Sequence, residues 1–228
     1  VREVTPYVSG ISESKGGSGN PSPVTAYGVY MGMKAAAKYK FGSDNLEGKS
    51  VMVQGIGHVG ETLVDYLTKE GAKVYISDIN EERLQEVKNK YGAIIFQGAD
   101  VYSAEVDIYA PCALGATVND QTIDRLKAKI IAGAANNQLA DELVHGKLLQ
   151  EKGIVYAPDF LINAGGIINV YAELEKYGKE EIMRKTENIY NTTLEILQTA
   201  EKNDMTTHFA ALKIAQQRID DRKKQNLK

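Results

Sequence analysis

The chain has 228 residues, 43% of them hydrophobic and 25% charged, which is ordinary for a folded globular protein and enough for one large domain or one domain with appendages. A net charge of −3 gives no electrostatic reason to expect a nucleic-acid or membrane-surface partner. One cysteine, Cys112, and three scattered histidines, His58, His145 and His208, exclude an internal disulfide framework, a cysteine-based zinc site and a set of metal-spaced histidines.

The opening Val1-Arg2-Glu3-Val4 lacks an initiator methionine and reads as the interior of a longer chain. With no signal peptide and no apolar run of membrane-spanning length, the expected compartment is the cytoplasm. Val1 to Ser12 carries short β-branched stretches, too sparse to fold alone. Glu13 to Pro23 is rich in glycine, serine and proline, the composition of a loop or hinge. Lys15, within it, reads as a solvated loop lysine rather than a catalytic one. Residues 1–23 are therefore taken as an inter-domain segment and hinge. A helical pattern follows from Val24 to about Lys40, with Val24, Tyr27, Met31 and Ala35 tracing an apolar stripe, and Phe41-Gly42 ends it.

The next stretch, Val51 to Asp78, is the most informative. A short apolar run, Val51-Met52-Val53, has the form of a buried parallel strand. Gly55, Gly57 and Gly60 then fall at G-x-G-x-x-G spacing, and a helical pattern with Val59, Leu63, Tyr66 and Leu67 on one face runs to Gly71. A second strand, Lys73 to Ser77, leads to Asp78. Each part suits dinucleotide binding. Gly55 permits a tight turn, Gly57 lets backbone approach a pyrophosphate, and Gly60 lets helix and strand pack closely. The helix start offers free N–H groups to phosphate, and Asp78 can accept hydrogen bonds from ribose hydroxyls. Ile56, His58, Val59 and Ile79 surround these positions and complete the candidate cofactor set there. Glycines that serve only helix–strand packing are the alternative.

Beyond Asp78 the pattern continues with a helix from about Asn80 to Lys90, a strand from Ala93 to Phe96, and a strand from Val106 running into Pro111-Cys112-Ala113. A helix is expected from Asn119 to Leu126, then a strand from Lys129 to Ala132 ending in Gly133-Ala134-Ala135-Asn136-Asn137. Asp141 to Gln150 reads as helix and Ile154 to Tyr156 as the last strand. Such alternation means an α/β Rossmann fold, a doubly wound parallel sheet with helices on both faces in strand order 3-2-1-4-5-6. The binding crevice lies outside the carboxyl ends of the strands, which brings Asp78, Pro111 to Ala113, Asn136, Asn137 and Asn163 to one cleft. Helices are expected over Ile162–Tyr177, Glu180–Ala200 and Thr207 to about Arg222, the last with an apolar face of Phe209, Ala211, Leu212, Ile214, Ala215 and Ile219. Residues 24–205 are read as the NAD-binding domain and 206–228 as a carboxy-terminal helix.

Several segments together resemble the amino-acid dehydrogenases of the glutamate/leucine/phenylalanine/valine type, the leucine-specific branch most of all. They are TPYVSGIS (Thr5–Ser12), GNPSPVTAYGVYMGMKAAAK (Gly19–Lys38), LEGKSVMVQGIGHVG (Leu46–Gly60), DIYAPCALGATVN (Asp107–Asn119), IAGAANNQL (Ile131–Leu139) and GIVYAPDFLINAGGIINV (Gly153–Val170). The resemblance implies oxidative deamination of an L-amino acid to its 2-oxo acid and ammonia, with hydride passed to NAD. It also implies that the substrate-holding lysines and the proton-handling aspartate lie on an amino-terminal domain not contained in this chain. The chain then reads as the cofactor domain alone, without catalytic residues and inactive by itself, while the complete enzyme binds NAD and a small amino acid and forms a homo-oligomer. Phenylalanine, valine or glutamate specificity, and a non-catalytic nucleotide-binding Rossmann module, are the rival readings.

Individual residues follow from this frame. His58, in the first helical turn, is a neutral donor near the phosphates or a solvent-facing side chain. Asp78 favours NAD over NADP, since a 2′-phosphate beside a carboxylate is repelled, and it could also cap the next helix. Cys112 has no basic partner nearby and reads as a small buried hydrophobe on the cofactor path rather than a nucleophile; the backbone of Ala113 is a cofactor contact. Asparagine amides both donate and accept, which suits a nicotinamide carboxamide or a substrate's polar end. By resemblance Asn137 positions substrate and nicotinamide and Asn163 lies on the nicotinamide side. Thr25 either reaches the nicotinamide or caps locally. Also by resemblance, Ile167 and Val170 line the substrate side-chain pocket, where two aliphatic residues favour a branched apolar side chain over a carboxylate; core packing is their alternative.

Overall fold

The computed structural model describes Val4, Thr5, Val8, Gly10 and residues 17–226; Lys15 and the rest of residues 13–16 of the expected hinge lie outside the described residues. The first element is helix α1 (Ser22–Phe41), with Pro23 in its opening turn, where a missing N–H costs nothing. Strands β1 (Ser50–Gln54), β2 (Lys73–Ser77), β3 (Ile94–Ile95), β4 (Ile108–Pro111), β5 (Ile130–Ile131) and β6 (Val155–Tyr156) form one parallel sheet in the order β3-β2-β1-β4-β5-β6. That is the expected Rossmann order. Helix α2 (His58–Lys69) joins β1 to β2, α3 (Glu81–Tyr91) joins β2 to β3, and α4 (Glu142–Glu151) joins β5 to β6.

β1 is the central strand, pairing Val51 with Val74 of β2 and with Ile108 of β4. Its apolar run is continuous because both faces are covered. Val51 and Val53 enter one core with Ala26, Val29 and Met33 of α1 and Leu63 and Leu67 of α2. Met52 points the other way, into a core with Tyr109, Val118, Ile131 and Tyr156. Alternation along one strand thus supplies both layers.

Helix α1 does not bury the stripe expected of it. Of that stripe only Ala35 is buried; Val24, Tyr27 and Met31 are half-buried, and the other inward positions are Ala26, Val29, Met33, Ala36 and Ala37. Small residues are inside because neighbours come close on a second side as well. A Cβ on Gly32 would meet Ile162 Cγ2 and lie 2.7 Å from its Cβ, and one on Gly28 would lie 2.7 Å from the Ile162 carbonyl oxygen.

Asn119–Leu126 is a run of turns instead of a helix. The Asn119 side-chain oxygen accepts from the N–H groups of Gln121 and Thr122, and the Thr122 hydroxyl donates to the Thr117 carbonyl at 2.6 Å. Those local bonds compete with helical ones. The expected Ile162–Tyr177 helix is divided into α5 (Asp159–Ile162) and α6 (Gly165–Glu175), and the expected Glu180–Ala200 helix into α7 (Lys179–Glu187) and α8 (Ile189–Lys202). α9 (Thr207–Asn226) buries Ala210 and Ala211 and half-buries Ile214, but leaves Phe209, Leu212 and Ile219, read as its apolar face, substantially exposed. It packs on α8 and touches α4, with Ala210, Ala211 and Ile214 against Ile196 and Ala200, and His208 meets the Phe160 ring of α5 edge-on.

Gly32→Ala tests the close packing of α1. Alanine favours a helix by about 1 kcal/mol, yet the added methyl must displace buried Ile162. Denaturant unfolding is expected to show a net loss of about 1–3 kcal/mol; a gain in stability would contradict the contact.

Candidate functional site

The site grows out of the sheet order. β1 connects through α2 to β2 on one side, whereas its other neighbour, β4, leads away in the opposite direction. Helices on the two sides diverge there and leave a crevice at the carboxyl ends of the strands.

Gly55, Ile56 and Gly57 occupy that crossover. Gly55 has φ of 93°, a left-handed conformation natural to glycine, and its N–H donates to the Ser77 carbonyl at 2.7 Å. A Cβ on it would lie 2.6 Å from the Cβ of Ala113 and 2.8 Å from the Ala113 nitrogen. The loop after β1 therefore touches the segment after β4, and exposed Ala113 stands at its edge. Gly60 is backed against the loop, since its Cβ would collide with the Gly55 carbonyl oxygen. Gly57 is different: nothing lies within 4 Å of where its Cβ would be. Exposed Gly57 and His58 present the start of α2 to open space, and Val59 is half-buried behind them.

Asp78 is not the cap of α3. Asn80 caps it, accepting from the Arg83 N–H at 3.0 Å. The Asp78 carboxylate instead accepts from the Ile56 N–H at 2.8 Å and the Asn80 N–H at 3.0 Å, so it is fixed beside the glycine loop. Ile56 is fully buried beneath the loop, and Ile79 is fully exposed beside Asp78.

Cys112 is half-buried, and its sulfur accepts from the Ala134 N–H at 3.5 Å. Burial pushes the thiol up to about 12, outweighing the opposing pull of that N–H. Such a thiol is inert as a nucleophile near neutral pH.

The second wall comes from the segment after β5. Asn137 has φ of 52°, an uncommon left-handed conformation for a non-glycine residue. Asn136 and Asn137 are both exposed at the cleft edge. The Asn163 amide donates to the Asn136 side-chain oxygen at 2.6 Å and to the Ala134 carbonyl at 3.2 Å. Asn136 and Asn163 are thus brought together, with Asn137 next in the chain. What holds this wall was not read from sequence: buried Gln138 donates its side-chain N–H groups to the Gly133 and Ala135 carbonyls at 2.7 and 3.0 Å, and its backbone N–H to buried Asp159 at 2.7 Å. A glutamine after a paired asparagine carries no local signal of such a role.

The start of α6 closes the third side. A Cβ on Gly165 would strike the Val24 carbonyl, and one on Gly166 would lie 2.9 Å from the Thr25 hydroxyl oxygen. Thr25, inside the first turn of α1, donates its hydroxyl to the Pro21 carbonyl at 2.9 Å, an i−4 back-bond and not a cap, since no side chain caps this helix. Ile167 is 70% exposed and Val170 half-buried, so core packing does not account for Ile167. Together with exposed Tyr171 and Leu174, it forms an outward apolar strip on α6. Among the described residues, no group of three or more His, Cys, Asp or Glu side chains is arranged to hold a metal ion.

A family profile described as glutamate/leucine/phenylalanine/valine dehydrogenase matches residues 16–81 and 75–226. The chain belongs to that family. The leucine dehydrogenase of Thermoactinomyces intermedius is 53% identical over 220 residues, covering 96% of this chain and 60% of the relative. An L-tryptophan dehydrogenase of Nostoc punctiforme is 43% identical over the 228 residues aligned. A crystal structure of L-tryptophan dehydrogenase from Nostoc punctiforme superposes with a TM-score of 0.86 at 44% identity, covering 88% of this chain and 61% of that one. Glutamate dehydrogenase from Thermus thermophilus shares the fold at 22% identity and a TM-score of 0.73. This member of the dehydrogenase family spans about 60% of the length of the leucine dehydrogenases it matches.

The raised Cys112 thiol makes a direct prediction. Its thiolate fraction at pH 8 should be so small that iodoacetamide labels the folded chain at least about a hundredfold more slowly than the unfolded chain. Because the thiol stays protonated until pH approaches about 12, moving from pH 7 to pH 9 should leave the folded site poorly labelled. Rapid labelling at pH 8 would show that the thiol is neither buried nor raised.

Proposed function

We propose that this chain is the NAD-binding part of an amino-acid dehydrogenase acting on a branched-chain L-amino acid. The observation that carries this reading is the glycine loop between β1 and α2, where Gly55 and Gly60 are packed without room for a Cβ while Gly57 faces open space beside a fixed carboxylate. The donor set fits a dinucleotide. N–H groups at the start of α2 would meet the pyrophosphate, Asp78 the ribose of the adenosine half, and exposed Ile79 its base. Ala113 and the rim of Cys112 would border the cofactor's path, and Asn137, Asn163 and Thr25 its nicotinamide end.

NAD, when bound, accepts hydride from the substrate's Cα. The chain's own contribution is orientation. Gln138 and Asp159 hold the segment bearing Asn136 and Asn137, and the Asn136–Asn163 pair ties it to the end of α5. Ile167 and Val170 supply an apolar surface for the substrate side chain, on which the carboxylate of a glutamate substrate would be left unpaired at high cost. The greater identity to leucine dehydrogenases than to tryptophan or phenylalanine dehydrogenases favours an aliphatic side chain, with an aromatic one as the second reading. Under this proposal residues 24–205 are the nucleotide-binding domain and 206–228 a carboxy-terminal helix. The groups that activate water and move protons belong to a further domain, and the complete enzyme is a cytoplasmic homo-oligomer.

Calorimetry with NAD and NADP tests the proposal. The chain is expected to bind NAD more tightly than NADP, and Asp78→Ser is expected to weaken NAD by about tenfold or more, since charge-assisted hydrogen bonds are lost, while narrowing the gap to NADP. The chain alone is expected to produce no NADH from leucine. Absence of NAD binding would overturn the reading, and leucine-dependent NADH formation would overturn its division of labour.

A further inference from the structure

We propose that Arg83, anchored by Glu61, is a positioning residue for the glycine loop: it holds the Ile56 carbonyl so that the Gly57 N–H faces the phosphate position. The inference rests on the nucleotide-binding reading above and assigns the loop's orientation to a side chain outside the glycine motif.

Two successive peptide groups of the loop are gripped from the same side of the sheet. The first, between Gly55 and Ile56, gives its N–H to Asp78 at 2.8 Å. The second, between Ile56 and Gly57, gives its carbonyl to Arg83, whose Nε donates to it at 3.3 Å. In a planar trans peptide the N–H points opposite to the C=O. Holding the Ile56 oxygen toward α3 therefore aims the Gly57 N–H away from α3. Of the three motif glycines, Gly57 is the one whose surroundings are open.

Arg83 can do this because its planar fork is used in several directions at once. One terminal nitrogen pairs with Glu61 in the first turn of α2, and the other reaches Glu86 at 3.5 Å. Glu61 is in turn held by Lys90 Nζ and the Tyr91 hydroxyl, each at 3.0 Å. Partial burial of Glu61 acts to raise its carboxyl, but hydrogen bonds from Lys90 and Tyr91 and the charges of Arg83 and Lys90 outweigh this and hold it below the usual range. The anchor is thus an ionised carboxylate on α2, only 18% exposed, facing an arginine in the first turn of α3. An α2–α3 strap alone would need only a positive charge opposite Glu61. The additional donation from Nε to a loop carbonyl is what marks a role in the site.

Lysine separates the two roles. Arg83→Lys keeps the charge and can keep the pair with Glu61, but a single ammonium lacks the fork that reaches Ile56 at the same time. Nuclear magnetic relaxation on the nucleotide-free chain reads the loop, calorimetry with NAD at fixed salt reads the site, and the melting temperature monitors the fold. Arg83→Lys is expected to melt within a few degrees of the parent and to lower the backbone order parameter of Gly57 from about 0.85 toward 0.6. NAD binding is expected to weaken by about tenfold. Glu61→Gln, nearly isosteric, should shift both readouts in the same direction, and it serves if Arg83→Lys fails to fold. Unchanged order and unchanged NAD affinity in the folded variant would overturn the inference. If the parent itself binds no NAD, the functional reading fails, while the order parameters still decide whether Arg83 holds the loop.

Discussion

The carbonyl oxygen of Gly55 occupies the space that a side chain on Gly60 would need, while Gly55 itself presses against Ala113. Three segments converge at this contact: the end of β1, the first turn of α2 and the residues after β4. Two of the backbones can approach so closely only because they lack Cβ atoms. Close approach brings α2 down on the sheet with its free N–H groups at the crossover of strand connections, where a crevice must exist. The position of Asp78 follows from the same contact, because its carboxylate bonds the loop's own N–H at Ile56. This end of the crevice is therefore built on close backbone contacts, with the Asp78 and Arg83 side chains bonded to the loop's own peptide groups.

The other half is assembled from small residues farther along the chain. Gly28 and Gly32 admit Ile162 to α1, and Gly165 admits the backbone of α1 to the start of α6. This seats the end of α5, and with it Asn163, against Asn136. The asparagines thereby lie at the same carboxyl end of the parallel strands as the glycine loop. A cofactor bound by the loop would meet them at its far end.

Most of this fold can be read from the chain because its signals are local and repeated. Lys73–Ser77 reads as a strand from its own residues, and the alternation around it leaves few other topologies. The glycine motif with its following acid is similarly compact. Where reading failed, the determinant was distant or competed with a local pattern. Asn119 and Thr122 have a helical setting, but their side chains bond nearby backbone and leave a run of turns where a helix was expected. The apolar stripe expected on α1 ignored a second neighbour, α5, which only the tertiary structure reveals. Phe209, Leu212 and Ile219 were legible as a helical face but not as an exposed one. In the site, the asparagines were found through the strand-end rule, whereas Gln138, Asp159 and Arg83 were missed. Each of those acts on backbone groups, and backbone partners leave no trace in residue types.

In the proposed function the glycine loop is the phosphate-facing surface and the asparagine wall its nicotinamide end. Backbone amide shifts of the chain, followed by nuclear magnetic resonance during titration with NADH, test this most directly. The largest changes are expected at Gly57, His58 and Val59, with a second group at Asn137 and Asn163. Changes confined to residues outside the crevice, with the glycine loop unmoved, would contradict it.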